Sequence, residues 1–320
     1  MVWLSVILMC FSLFLNGCLT NEDHSSSGQK HIFYVNDDGN TSYSRIQDAL
    51  DVAENGDTVY VFAGSYYEAI TMNSSVDLIG ENATTTRIIL NNAHLKTLDD
   101  QYSYIPNDEV GIVHIIADHC TLQGFTIINN VTTDYAYDVS NVRLSSSNNS
   151  VLQNIILNGT YGVFLFQEIK DNSISFNNIS SNDNCGIYVY TYSDWNIFHN
   201  NDIFNNFYGV ILKGASYNEF YKNNITGGFE GIKLCCGATN NTMYLNTFIN
   251  ISSMAAHDTV GKNSWDAFGM GNFWDDYTTR YPNATSMDGI WAIPYSIASD
   301  IVIDHFPLVT PYYMRENTTR

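Results

Sequence analysis

The sequence predicts an all-β protein, a single-stranded right-handed parallel β-helix with coils of about 23 residues, an N-terminal capping helix and an aromatic-rich C-terminal cap. Three observations carry this. Residue types recur at a spacing of 23: Asn154, Asn177, Asn200, Asn223 and Asn246 form one column, and Val151, Ile174, Ile197, Phe220 and Met243 form an apolar column three places earlier. Within each unit the apolar residues alternate every second position, which is the period of a strand. Gly and Asn interrupt the segments too often for helices of ten or more residues. Coils that stack at about 4.8 Å bring like residues onto like, so an in-register repeat of this length is the signature of a solenoid.

The elements follow in chain order. Residues 1–18 read as a signal peptide, because Val2 to Leu15 is nearly all apolar and too short to span a bilayer. The run ends Leu15-Asn16-Gly17-Cys18, which resembles a lipobox, so Cys18 is the expected lipidation site. Residues 19–30 form a polar tether. The β-helix domain is expected over 31–320, opening with a capping helix at about 44–54 that sets Ile46, Ala49, Leu50 and Ala53 on one face and stops at Asn55-Gly56. Upstream of the regular coils, excursions at 96–109 and 132–138 are expected to project as acidic, Tyr-rich loops.

The regular coils occupy about 148–254. A second apolar column set begins Ile156, Ile179, Asp202, Ile225, Phe248, which Asp202 breaks, and a third follows a glycine in Gly162-Val163, Gly186-Ile187, Gly209-Val210 and Gly231-Ile232. Each inward apolar side chain contributes about 1.5–3 kcal/mol on burial, and the Asn column sits at a turn where each amide can donate and accept along the stack. From 255 to 320 the period is lost and Trp265, Phe268, Phe273, Trp274, Tyr277, Trp291 and Tyr295 suggest a packed lid, as an open solenoid core requires.

Composition narrows the partners. With 13 basic and 33 acidic residues the net charge is −20, which repels phosphate backbones and anionic lipid, so no nucleic acid is expected and a membrane only through the lipid anchor. Charged residues make up 14%, below the roughly 25% usual for soluble domains. Asn, Ser, Thr and Tyr therefore supply the polar surface. Twelve Asn-x-Ser/Thr sequons, from Asn40 to Asn317, fit an exported and glycosylated chain. Cys120, Cys185, Cys235 and Cys236 are too few and too irregular for a disulfide framework.

Residues 43–68 (YSRIQDALDVAENGDTVYVFAGSYYE), the coils, and the closing Gly271-Asn272-Phe273-Trp274-Asp275-Asp276-Tyr277 with Ile293-Pro294-Tyr295 and Phe306-Pro307-Leu308 resemble NosD-like and pectin-lyase-like β-helix surface proteins of the archaeal, methanogen type. The resemblance covers nearly everything after His31. It implies a β-helix of the carbohydrate-binding and sugar-hydrolase kind, and for NosD itself copper delivery. The chain departs from the catalytic relatives: it has neither the Asp-Asp with Gly-His-Gly combination nor a Gly-x-x-Asp-Phe segment. Only Ser286-Met287-Asp288-Gly289 remains of an Asp-rich, calcium-loop-like run.

Three chemistries are open. Outward aromatic residues Phe164, Phe166, Tyr188, Tyr190, Tyr192 and Trp195 form the expected glycan-binding set, since ring faces stack on sugars. Asp171 and Asp194 share the 23-residue column, and with Lys213 and Lys233 they are the candidate catalytic groups of a calcium-assisted polysaccharide lyase, hydrolase or epimerase. Copper requires soft or imidazole ligands, for which Cys235 with Cys236 and the group His114, Asp118, His119, Cys120 are the candidates. Strand alternation would send Cys235 and Cys236 to opposite faces. The expected protein is extracellular, exported and lipid-anchored, a non-catalytic glycan-binding or cell-envelope component, with the enzyme and the copper-delivery protein as alternatives.

Overall fold

The computed structural model describes residues 30–94, 110–132, 138–298 and 301–316. The signal peptide, Cys18 and the tether lie outside these residues, as do most of the loops expected at 96–109 and 132–138.

Each coil lays down three short strands, one in each of three long parallel sheets. The coil Ser173–Ser175, Asn178–Ser180 and Cys185–Val189 shows the order. The first sheet has nine strands from Ile32–Val35 to Thr242–Tyr244, the second nine from Gly64–Tyr66 to Phe273–Trp274, and the third eight from Ile70–Met72 to Met254–Asp258. The pairing between coils is parallel throughout, and the architecture is a right-handed parallel β-helix.

The core is a set of columns. Val151, Ile174, Phe198, Phe220 and Met243 point inward from the first sheet, all fully buried, and Ile156, Ile179, Ile203, Ile225 and Phe248 from the second. Val163, Ile187, Val210 and Ile232 fill the third. The glycine before each of these is required by close approach: a Cβ on Gly186 would lie 2.7 Å from the Gly209 carbonyl oxygen, and one on Gly209 2.6 Å from that of Gly231.

The register corrects three columns. Asn154, Asn177, Asn223 and Asn246 are buried and linked by hydrogen bonds, but the position between Asn177 and Asn223 belongs to Asn201, not Asn200. The coil after Asn177 is one residue longer and the next one shorter, with separations of 24 and 22. The same slip turns Ile197 outward, 39% exposed, in favour of Phe198, and sets Ile203 inward where Asp202 broke the column. Asn200 sits just before the ladder with φ +54.

Each ladder amide is fully engaged. Asn201 Nδ2 donates to the Ile174 carbonyl at 2.8 Å and to Asn223 Oδ1 at 3.0 Å, while its Oδ1 accepts from both nitrogens of Asn177. A second, parallel ladder runs Asn149, Asn172, Asn196, Asn218, Asn241, Asn263 at the corner between third and first sheets. Residues preceding ladder amides adopt left-handed backbone, among them Phe176, Asn200, Lys222 and Leu245 at one corner and Asp171, Trp195, Tyr217 and Asn240 at the other. Left-handed backbone costs a non-glycine residue about 1–2 kcal/mol, which the buried amide bonds offset.

Both ends are closed by carboxylates. The Glu68 carboxylate accepts from the Ile46 and Gln47 N–H groups at the start of the helix Ile46–Leu50. At the far end the rings of Phe248, Trp274 and Tyr295 continue the second sheet's core column, with centroids 4.6 and 4.2 Å apart. Asp258 and Asp304, both fully buried, receive the last amides of the two ladders and one indole N–H each, from Trp265 and Trp274.

Candidate functional site

The sequence-predicted aromatic set divides in two. Phe164 and Tyr188 pair across adjacent coils on the outer face of the third sheet, as do Phe166 and Tyr190 one position beyond the same strands. These rings are already occupied. Phe164 is only 3% exposed and clusters with Tyr161 and Cys185, the Arg143 guanidinium lies 4.5 Å over Phe166, and the Lys213 ammonium lies 5.2 Å over Tyr190. A ring that holds a cation on its face has less of that face left for a sugar.

Tyr192 and Trp195 stand instead at the corner between the third and first sheets, 64% and 56% exposed. Trp195 stacks on Tyr217 of the next coil with centroids 4.4 Å apart and planes 6° from parallel. Tyr217 is itself 44% exposed. Local structure explains the pair: each ring precedes a ladder amide, Asn196 or Asn218, and φ values of +62° and +59° turn the side chains out at the corner while the amides lock the coils in register. In the flanking coils the same position carries Asp171 and Asn240. Among the described residues neither ring stacks on a further ring.

From this corner the strand Ile197–His199 leads onto the first sheet's outer face. There His199, Tyr221 and Tyr244 stack on consecutive coils at 4.9 and 5.3 Å, and Phe268, 90% exposed, meets Tyr244 edge-on at 5.8 Å. Burial lowers the His199 imidazole, with Lys222 adding to the effect, and raises the Tyr244 phenol to about 12. The ladder is therefore neutral near pH 7. Tyr217 and this second ladder escaped the sequence-based set, although their spacings of 22 and 23 are visible once the slip near Asn201 is known.

The candidate catalytic groups do not assemble. Because the coil is 24 residues long here, the position one coil from Asp171 is Trp195, and Asp194 lies one residue out of that column. Asp171 is exposed, and Asp194 accepts the Ser216 N–H at 2.6 Å. Lys233 is held 3.6 Å from the buried Glu230 carboxylate, which also meets His257 at 3.2 Å. Among the described residues no contact joins either aspartate to Lys213 or Lys233.

The candidate metal ligands are also dispersed. His114 is bonded to Ser145 at 2.9 Å, and burial, helped by Arg143, pushes its pKa down to about 4. His119 is exposed, whereas Cys120 is buried with its thiol donating to backbone carbonyls. Cys235 and Cys236 do come together, contrary to strand alternation. The strand ends at Cys235, Cys236 turns with φ +59, and the two sulfurs lie 3.0 Å apart. No group of three or more His, Cys, Asp or Glu that could hold a metal ion is present among the described residues. The Ser286–Met287 segment forms a small hairpin with Ile290–Trp291. Calcium has no assembled carboxylate set there.

No helix among the described residues is long and apolar enough to cross a membrane. Comparison with curated proteins found no match. Among solved structures the chain is similar to ORF18 of Geobacillus virus E2, at 15% identity and TM-score 0.47, covering 69% of this chain and 52% of that one, so it spans about half of that protein. It is similar to rice weevil pectin methyl esterase, at 12% identity and TM-score 0.45, covering 75% and 82%. It is also similar to the A-module of the Azotobacter vinelandii mannuronan C-5 epimerase AlgE4, at 15% identity and TM-score 0.40, covering 64% and 69%. A family model described as periplasmic copper-binding protein (NosD) matches residues 50–279, well over half of the sequence. The chain belongs to the NosD family.

Proposed function

We propose that this protein is an exported, non-catalytic β-helix that binds glycans of the cell envelope at the corner formed by Tyr192, Trp195 and Tyr217. The observation that carries the proposal is the exposed Trp195–Tyr217 stack, held rigid by buried amides and flanked by Asp171 and Asn240. Two large rings kept exposed and stacked at a corner of the solenoid form an apolar surface that a ligand can cover. A sugar offers a C–H face to a ring and hydroxyls to a neighbouring carboxylate or amide, which matches both halves of the corner. The glycan is expected to be neutral or weakly charged, since the protein carries a net charge of −20.

Copper, which the family description names, would have Cys235 and Cys236 as its touching soft donors in this chain; the glycan proposal does not depend on them. Affinity electrophoresis through gels containing a panel of envelope polysaccharides tests the proposal. Retardation by at least one polysaccharide that disappears in Trp195→Ala with Tyr217→Ala, and persists in Phe166→Ala, is the expected result. Retardation unchanged in the double variant would remove the site.

A further inference from the structure

Cys235 and Cys236 end the third-sheet strand Glu230–Cys235 in a tight turn, closed by the Ala238 N–H donating to the Cys235 carbonyl at 3.1 Å. Both central residues of the turn are left-handed, Cys236 at φ +59 and Gly237 at φ +92. A cysteine in that conformation carries a backbone cost of about 1–2 kcal/mol. Here the strained geometry brings its sulfur to 3.0 Å from its neighbour's. The site is accessible: Cys236 is exposed, Cys235 half-buried, and a Cβ placed on Gly237 would meet nothing within 4 Å. Cys120 and Cys185, the other described cysteines, are buried and bond to backbone carbonyls.

We propose that Cys235 and Cys236 form a reversible thiol–disulfide exchange site: a small-molecule or protein disulfide in excess closes them into a disulfide between adjacent residues, which a thiol reopens. In the first step the Cys236 sulfur, as thiolate, attacks one sulfur of the incoming disulfide. The incoming S–S bond breaks and its other half leaves as a thiolate. In the second step the Cys235 thiol, giving up its proton as it reacts, attacks the Cys236 sulfur and expels the bound half. Two thiol protons pass to the two departing thiolates; the cysteine pair loses two electrons and the substrate gains them.

Geometry favours a reversible couple over a permanent staple. Adjacent Cα atoms are about 3.8 Å apart across a trans peptide, whereas ordinary disulfides span about 4.4–6.8 Å, so the closed ring is strained and readily reduced. Strained, exposed disulfides are the labile and catalytic ones. The couple sits at the corner that carries the proposed glycan platform: the Tyr192 N–H bonds to the Gly214 carbonyl, and the Gly214 N–H bonds to the Cys235 carbonyl, on successive coils.

The full-length chain, equilibrated in glutathione buffers of graded reduced-to-oxidised ratio, trapped by alkylation and mapped by peptide mass, tests this. The expected wild-type product under oxidising conditions is a 235–236 peptide lacking two hydrogens and carrying no glutathione, with Cys120 and Cys185 alkylated only after unfolding. Cys235→Ser should retain glutathione on Cys236. A wild-type peptide that keeps glutathione on Cys236 with Cys235 still alkylatable, or one in which neither sulfur reacts, overturns the proposal. Neither result bears on glycan retardation, which is measured on reduced protein.

Discussion

Asn272 donates its backbone N–H to the Asp304 carboxylate at 2.7 Å, ending a file of buried amides that begins at Asn154. Every amide in the file passes a hydrogen-bonding demand to the next coil. The Asp304 carboxyl, with two oxygens to accept, is therefore the terminus, and the Trp274 indole and the Phe306 N–H share it. Asp304→Ala would leave these donors buried without an acceptor and is expected to cost about 3 kcal/mol, read as a lower urea midpoint.

Burial pushes the Asp304 carboxyl up to about 7, against the pull of its N–H donors. The folded protein thus holds this proton more tightly than the unfolded chain. The resulting stability is fully present below the ordinary carboxylate pKa near 4 and is lost as pH rises through about 7. Thermal midpoints measured from pH 4 to 8 should fall more steeply for the wild type than for Asp304→Asn. Parallel curves would contradict this.

The two neighbours Asn200 and Asn201 should behave oppositely. Asn201→Gly removes four buried hydrogen bonds and is expected to destabilise by about 2–3 kcal/mol. Asn200→Gly places glycine at φ +54, where it fits, and should change stability by about 0.5 kcal/mol or less. Chemical denaturation of both variants checks the register.

Gly186→Ala would drive a Cβ to 2.7 Å from the Gly209 carbonyl oxygen and 2.9 Å from Ile203, in a core that cannot yield. A loss of about 2–3 kcal/mol is expected. Gly237→Ala, strained only by its φ of +92 and otherwise in open space, should lose about 1–2 kcal/mol. Equal losses in the two denaturation curves would contradict the packing of the third sheet.

His114 should titrate near pH 4, because burial and Arg143 disfavour its charged form. Stability from the neutral ring is lost as pH falls from the ordinary imidazole value toward 4. Imidazole resonances followed by NMR should therefore stay constant from pH 8 to about 5, and Arg143→Gln should raise the midpoint.

Much of the fold was legible because repetition is itself a contact map: alternation at Val163, Leu165, Ile187 and Val189 fixes which residues face inward. The fixed spacing misled where one coil gained a residue. Asp202 in an apolar column was the visible trace, and shifting that coil by one place restores Phe198, Asn201 and Ile203 together. The aromatic set was legible in type but not in availability, since the covering of Phe164 and the cations over Phe166 and Tyr190 depend on neighbours outside the repeat. Cys235 and Cys236 were misplaced because the strand rule stops applying at a left-handed residue.

The most direct test of the central claim is calorimetric titration of an oligosaccharide, cut from whichever polysaccharide retards the protein, into wild type, Trp195→Phe and Trp195→Ala. A phenyl ring keeps a stacking face, so Trp195→Phe should bind within about threefold of wild type, and Trp195→Ala about tenfold or more weaker, the equivalent of about 1.4 kcal/mol. Equal affinity in all three proteins would contradict the assignment of this corner as the binding face.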